Sequence, residues 1–391
     1  MTSAGPLVTD TEWRAHAAAL AATVAEALAD SEWTQAFAVV PRHVFVPRFF
    51  RRDAAGELVA IEGSNPAQRA QWLAEVYSDT ALTTQLGQID PGSTLRPLTI
   101  SASSSTQPTL MARMLTDLDA HPSHRVLEIG TGTGYNAALL CHRLHDGHVH
   151  SVDIHPDLIR TAQTRLASLG YQPRLGCRDG AHGWVEHAPY DRIIATCGIS
   201  TVPYAWVAQT RPGGLILTEA LAGGHGMLAR LTVATDGTAC GPFLNYPGLF
   251  MALRRTPHRI TRPAELIPEQ LHGARHAPTT LDPAVLADPA FAFFCQLHLG
   301  SGRSHHYVVE GTTTATVVAP DGSWAQTTSG THGVLVTFDG THNPWHTVET
   351  AHHIWTQLGR PPPCALGLTV TPHTQYVWCQ HPDSTWTHPL T

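Results

Sequence analysis

Ten consecutive residues, Val126-Leu127-Glu128-Ile129-Gly130-Thr131-Gly132-Thr133-Gly134-Tyr135, constrain this chain more than any other stretch. A short apolar run carrying one acid breaks into three glycines at alternate positions, and an amphipathic segment, Asn136 to Leu144, follows. That pattern reads as a buried strand, a tight loop and a helix start. Glycines there let the backbone take positive φ without a Cβ clash and let a ligand approach closely. The dinucleotide fingerprint G-x-G-x-x-G wants a third glycine where Tyr135 stands, and the chain has no G-x-x-x-x-G-K-[ST] phosphate loop. The register G-x-G-x-G after an acidic strand points instead to S-adenosylmethionine (SAM). That cofactor has no phosphates, so the loop need only pass flat against an amino-acid tail and a ribose.

Flanking segments strengthen this reading. His148 to Asp153 reads as a second strand ending in a carboxylate placed for ribose hydroxyls. Arg178-Asp179-Gly180 is a turn after a strand near Arg174–Cys177, where Asp179 can accept from an adenine amino group. Tyr190 to Thr196 gives another buried strand, and Arg211-Pro212-Gly213-Gly214 a turn into Leu215–Leu217. Helical stretches at Pro156–Leu169 and Val202–Gln209 alternate with these strands. The alternation predicts a doubly wound, Rossmann-like α/β sheet with its ligand at the carboxyl ends of the strands. The cofactor-binding candidates are therefore Glu128, Gly130, Thr131, Gly132, Gly134, Asp153, Asp179 and Gly180.

Upstream, Ser101-Ala102-Ser103-Ser104-Ser105-Thr106-Gln107-Pro108 precedes an amphipathic helix. One hydroxyl could cap that helix, with Pro108 in its first turn. The surplus hydroxyls would form a donor-rich pocket suited to a carboxylate.

Together these residues resemble the protein-L-isoaspartate O-methyltransferase family. Pro41-Arg42-His43-Val44-Phe45-Val46-Pro47 is similar to its V-P-R-x-x-F-V-P segment, and Tyr77-Ser78-Asp79-Thr80-Ala81-Leu82 to its Y-x-D-x-A-L. Thr106-Gln107-Pro108 falls where the family has S-Q-P with its active-site serine; Val126–Tyr135, Asp179-Gly180, Tyr190-Asp191 and Pro212-Gly213-Gly214 match its cofactor motifs. The resemblance covers roughly residues 30–220 and implies a class I SAM-dependent fold methylating an aspartyl or isoaspartyl carboxylate. Threonine replaces the serine, so the catalytic hydroxyl is Thr106 or Ser105. A carboxylate of pKa near 4 is already ionised at neutral pH and needs no general base.

Composition sets bounds. Net charge of −7 gives no footprint for nucleic acid, and all 24 basic residues are arginine, which excludes lysine chemistry. No apolar run reaches the ~18 residues of a membrane span. The start carries no signal-peptide pattern, and seven scattered cysteines without C-x-x-C read as reduced thiols, so a cytoplasmic location is expected.

At 391 residues more than one domain is expected. We divide the chain into a helical substrate-side region (1–85), the methyltransferase domain (86–255), a proline-studded linker (256–290) and a small C-terminal α/β module (291–391). In the module, strands are expected at Tyr307–Glu310, Thr312–Val318 and Gly333–Phe338, with a helix at Pro344–Gly359. Leu366–Thr371 and Gln375–Cys379 would close that sheet. Its tryptophans (324, 345, 355, 378, 386) suggest a peptide-capturing surface, while its dense histidines lack metal-ligand spacing. Trp345…Trp355, Pro361-Pro362-Pro363 and Gly367–Pro372 resemble methyltransferases encoded beside ATP-grasp peptide maturases, which implies a ribosomally made precursor peptide as substrate and an ester that can close to a succinimide. General isoaspartyl repair, and a SAM- or partner-binding protein without catalysis, are the alternatives.

Overall fold

A computed structural model describes residues 9–27, 31–88, 99–220, 224–256, 274–309, 311–330 and 333–390. The chain forms two compact units. One comprises Met1–Thr196, Gln209–Leu217 and Arg254–Thr261; the other comprises Cys197–Ala208, Thr218–Leu253 and Arg262–Thr391.

In the first unit, α1 (Asp10–Ala25) starts on a capping box: Thr9 and Glu12 bond each other's backbone N–H. It buries Trp13, Ala17, Leu20, Ala21 and Val24, one face at helical spacing. Helices α2 (Ser31–Val39) and α3 (Arg42–Phe45) follow, then β1 (Arg48–Arg52), β2 (Leu58–Glu62), α4 (Arg69–Val76), β3 (Leu82–Gln88), β4 (Thr99–Ser105) and α5 (Pro108–Leu118). The region expected to be helical thus also builds an antiparallel sheet, ordered β2-β1-β3-β4. The β3–β4 register slips twice, once between Thr83 and Gln85 and once between Gln85 and Leu86. Thr84 and Ala102 are the extra residues of two compensating bulges, a device common beside functional sites.

The cofactor half follows as β5 (Val126–Ile129), α6 (Tyr135–Leu144), β6 (Val149–Asp153), α7 (Pro156–Ser168), β7 (Arg174–Cys177), β8 (Tyr190–Ile199), α8 (Tyr204–Gln209) and β9 (Thr210–Ala220). Its strand order is β9-β8-β5-β6-β7. β5 lies parallel to both β6 (Glu128↔Ser151) and β8 (Glu128↔Ile194). All residues of β5 and β6 are buried, as a parallel sheet covered on both faces requires.

The second unit takes α8 up to Ala208, the end of β8 from Cys197 and the end of β9 from Thr218. It adds β10 (Met227–Val233), β11 (Ala239–Pro242), β12 (Arg275–Thr279), α9 (Pro289–Leu299), β13 (Arg303–Val309), β14 (Thr312–Val318), β15 (Trp324–Gly330), β16 (Gly333–Asp339), α10 (Trp345–Gln357), β17 (Leu366–Val370), β18 (Gln375–Cys379) and β19 (Thr387–Pro389). Three expectations need correction. The linker contains an edge strand, β12, where Pro278 needs no ladder partner for its missing N–H, and it ends in the start of α9; residues 257–273 lie outside the described residues. Strands β17 and β18 do not close the small sheet, which runs β12-β16-β15-β14-β13 and includes β15, a strand the pattern did not reveal. Instead β17 pairs with β11 and β18 with β17, in the order β19-β18-β17-β11-β10. Gly367 permits the β17–β18 pair, because an added Cβ would fall 2.1 Å from the Trp378 indole opposite it.

The expected tryptophan surface is largely core. Trp345, Trp355 and Trp378 are buried, and each indole N–H finds an acceptor: Thr279 Oγ1 at 3.2 Å, Pro361 O at 3.1 Å and Thr369 Oγ1 at 3.1 Å. Trp386 is half-buried and stacks on Phe294, and Trp324 is half-buried on β15. All seven cysteines are free. Among the described residues no cluster of three His, Cys, Asp or Glu could hold a metal ion, and no helix is long and apolar enough to cross a membrane.

Trp345→Ala should cost about 3–5 kcal/mol in denaturant unfolding of the second unit, the range for emptying a buried aromatic site. Trp324→Ala, at a half-buried position, should cost clearly less. Equal losses would contradict the assignment of Trp345 to the core.

Candidate active site

All three loop glycines take positive φ: 99° at Gly130, 53° at Gly132 and 89° at Gly134. Two are also sterically required. A Cβ on Gly130 would lie 2.9 Å from Thr196 Oγ1, and one on Gly134 would lie 3.0 Å from Ala162 Cβ. Gly132 differs, for its nearest neighbours are the Ser104 carbonyl at 3.8 Å and Ser103 Oγ at 3.9 Å. A Cβ there would make only ordinary contact, so Gly132 lies against the end of β4 without being crowded by it. The loop hangs from β6: the Gly130 and Thr131 N–H groups both donate to the Val152 carbonyl, at 2.8 and 3.1 Å. Thr196 Oγ1 secures the other side by donating to the Gly130 carbonyl at 2.8 Å.

The sequence-predicted acids fall into two groups. Asp153 ends β6, with Oδ2 accepting from Gly132 N at 2.9 Å and Oδ1 from His155 N at 3.0 Å. Each oxygen keeps a lone pair for a further donor. On the adjacent strand Cys177 pairs with Asp153, and Asp179 follows; it accepts from Ala181 N at 2.9 Å and pairs with Arg255 Nε at 2.8 Å. Gly180 opens the short helical turn behind it.

Glu128 stands apart. It is fully buried beneath the loop, where it accepts from Asn136 Nδ2 and Ser151 Oγ, and Ser151 in turn bonds Thr131 Oγ1. Glu128 and the Thr131 hydroxyl therefore brace the loop from inside. Burial pushes the Glu128 carboxyl up to about 7, against the two hydrogen bonds that favour its charge. Asn136 Oδ1 is buried with no partner among the described residues. An amide flip would let it accept a proton from a neutral Glu128.

On the substrate side the serine run is strand β4, not a cluster around a helix cap. Gln107 makes no side-chain cap for α5. Asp79 does that work from a distance: Oδ1 accepts from Thr109 N at 2.8 Å, and Oδ2 from Thr109 Oγ1 and Gln107 Nε2. Burial and partners then separate the two candidate hydroxyls. Ser105, the last residue of β4, is buried and accepts from Arg42 Nε and Nη2 at 3.4 and 3.3 Å. Thr106, just past the strand, is half-buried, and its hydroxyl has no partner among the described residues.

Arg42 is the residue that motif reading passed over. Its side chain is fully buried at the start of α3 and donates to the carbonyls of Val76, Ser78, Thr80 and Thr106 at 2.8 to 3.1 Å. Burial lowers its pKa to about 10, so it stays charged at neutral pH. Asp79, Asn136, Ser151 and Thr196 were likewise missed. Arg42 and Asp79 lie inside the matching segments, but nothing local to either residue reveals its partners.

Residues 61–239 match the family described as Protein-L-isoaspartate(D-aspartate) O-methyltransferase. The Protein-L-isoaspartate O-methyltransferase of Methylorubrum populi is 37% identical over 180 residues, 46% of this chain and 75% of that protein. That of Methylorubrum extorquens is 34% identical over 209 residues, 54% of this chain and 75% of that one. Protein-L-isoaspartate O-methyltransferase 2 of a Polaromonas species is 42% identical over 123 residues, 30% of this chain but only 56% of the relative. A solved structure titled protein-L-isoaspartate O-methyltransferase shares the fold at a TM-score of 0.51 and 20% identity, covering 93% of this chain and 99% of its own.

The Glu128 environment yields a pH signature. Its carboxyl titrates near 4.5 when unfolded and near 7 when folded, so between those values the folded state holds the extra proton. Stability should therefore fall as pH rises from 4.5 to 7 and stay low above it, by on the order of 3 kcal/mol. Glu128→Gln should flatten this slope in unfolding free energies measured across the window; an unchanged slope would show that another group causes it.

Proposed function

We propose that this chain, which belongs to the protein-L-isoaspartate(D-aspartate) O-methyltransferase family, transfers the methyl group of SAM to an aspartyl or isoaspartyl carboxylate in a peptide. One observation carries the proposal: Gly132 of the loop lies against Ser103 and Ser104, and Ser104 is two residues before the uncommitted Thr106 hydroxyl. The cofactor loop and the hydroxyl strand are therefore neighbours within one unit.

The residues fit the cofactor. Asp153 offers carboxylate lone pairs to ribose hydroxyls, and Asp179 offers one to an adenine amino group. SAM, when bound, supplies a sulfonium methyl open to in-line attack. The protein's contribution is to align a carboxylate and strip it of water, since the displacement cancels charge. Thr106 donates a neutral hydrogen bond that orients the nucleophile. No base is needed; burial keeps nearby His43 neutral by lowering its pKa to about 4, with Tyr77 Oη 2.8 Å from its Nδ1.

Our narrower reading is a ribosomally made precursor peptide matured beside an ATP-grasp enzyme, its ester able to close to a succinimide. The tail's resemblance supports this reading; the buried tryptophans no longer do. General repair of isoaspartyl residues is the second reading, because the fold likeness to a solved protein-L-isoaspartate O-methyltransferase extends over 93% of the chain. We place either reaction in the cytoplasm, in keeping with the free cysteines.

Labelled SAM with the full chain separates these readings. Transfer to the modified precursor and little to a generic isoaspartyl peptide supports tailoring; the reverse supports repair. Asp153→Ala should weaken SAM binding by about 1–3 kcal/mol in calorimetry, and unchanged affinity would remove Asp153 from the site. Thr106→Val should lower kcat by roughly 10- to 100-fold, the loss of one hydrogen bond to a charged group. Full turnover in that variant would sink the hydroxyl assignment.

A further inference from the structure

We propose that Arg42 is a positioning and specificity residue, a buried cation behind the Ser105–Thr106 shelf that makes the pocket select a carboxylate over its neutral amide. The inference rests on the carboxyl-methylating reading above and adds how the substrate's charge is recognised.

Every acceptor on Arg42 is neutral. Nη1 donates to the Val76 and Ser78 carbonyls, Nη2 to the Thr80 and Thr106 carbonyls, and Nε and Nη2 to Ser105 Oγ. No carboxylate forms an ion pair with it among the described residues. Asp79, between two of its carbonyl partners in sequence, is the one nearby acid whose charge favours the cation, yet it does so without an ion pair, its oxygens being spent on Thr109 and Gln107 at the start of α5. Tyr135, whose ring centre lies 5.9 Å from Arg42 Cζ, adds an orphan hydroxyl with no partner among the described residues and no anion.

Burying a cation without a paired anion is costly, and a neutral side chain would fill the space at less expense. The charge becomes intelligible if the compensating anion arrives with the substrate. Arg42 cannot reach that anion as a salt bridge, because its N–H groups are spent on the Val76, Ser78, Thr80 and Thr106 carbonyls and on Ser105 Oγ. Its field acts through the shelf: it polarises Ser105 and fixes the Thr106 carbonyl, which sets where the Thr106 hydroxyl points. The carboxylate thus meets a neutral donor backed by a positive potential, an arrangement that favours an anion without locking it against attack.

The test measures equilibrium binding of two peptides differing only in an isoaspartyl carboxylate or the matching amide, alongside kcat, KM and SAM affinity. The wild type should prefer the carboxylate by about tenfold or more. Arg42→Gln should bring that ratio towards one, with SAM affinity within about twofold, showing that the fold holds. Arg42→Lys keeps the charge but loses the planar fork. It should retain the preference while lowering kcat, and this variant decides the matter if the glutamine form does not fold. Retained preference in a SAM-competent Arg42→Gln protein, or loss of preference in Arg42→Lys, would overturn the proposal. A wild type that methylates neither peptide would sink the carboxyl-methylating reading, whereas the binding ratio still judges Arg42.

Discussion

The site depends on how one loop is tied down. Gly130 and Thr131 share the Val152 carbonyl, Gly132 donates to Asp153, and Thr196 holds the Gly130 carbonyl. These bonds come from the strands on either side of β5, so the loop's shape follows from the parallel register of three strands rather than from its own sequence. Glu128, Ser151, Asn136 and Thr131 then fill the space beneath it with a closed polar network. A network of this kind rigidifies when satisfied, and the one loose end, Asn136 Oδ1, lies beside the one group poised to change protonation.

Much of this was legible in the sequence, for a physical reason. Three glycines at alternate positions, a carboxylate at a strand tip and an Asp-Gly turn are local signals, and the backbone conformations they demand are local too. Arg42 was not legible, because its partners lie 34 to 64 residues away in two separate segments. The same holds for the tryptophans. An amphipathic indole suits a surface or a core equally, and only a distant acceptor such as Thr279 or Pro361 decides between them. Proline likewise misled, since it marks a linker or an edge strand with equal ease.

The hydroxyl strand shows how irregularity serves a site. The bulge at Ala102 disturbs the ladder, and its carbonyl accepts instead from Arg254 Nη2 at 2.9 Å. The next residue, Arg255, pairs with Asp179 at the far side of the cofactor loop. Two consecutive side chains thereby connect β4 to the Asp179-Gly180 turn within one unit, which couples the order of each to the other.

The partnership of β11 with β17 has a consequence for how the protein is made. Ala239 pairs with Val370, and between them lies the whole of the small sheet and both helices α9 and α10. Ribosomes add about 5–20 residues per second, so β10 and β11 emerge many seconds before the strand that covers their free edge. During that interval an unpaired edge next to a nearly complete sheet invites pairing with other chains. The residues from Leu366 onward therefore finish the sheet instead of decorating it. A chain shortened anywhere before Leu366 would leave β11 without its neighbour, which makes the C-terminus part of the fold's solubility as well as its stability.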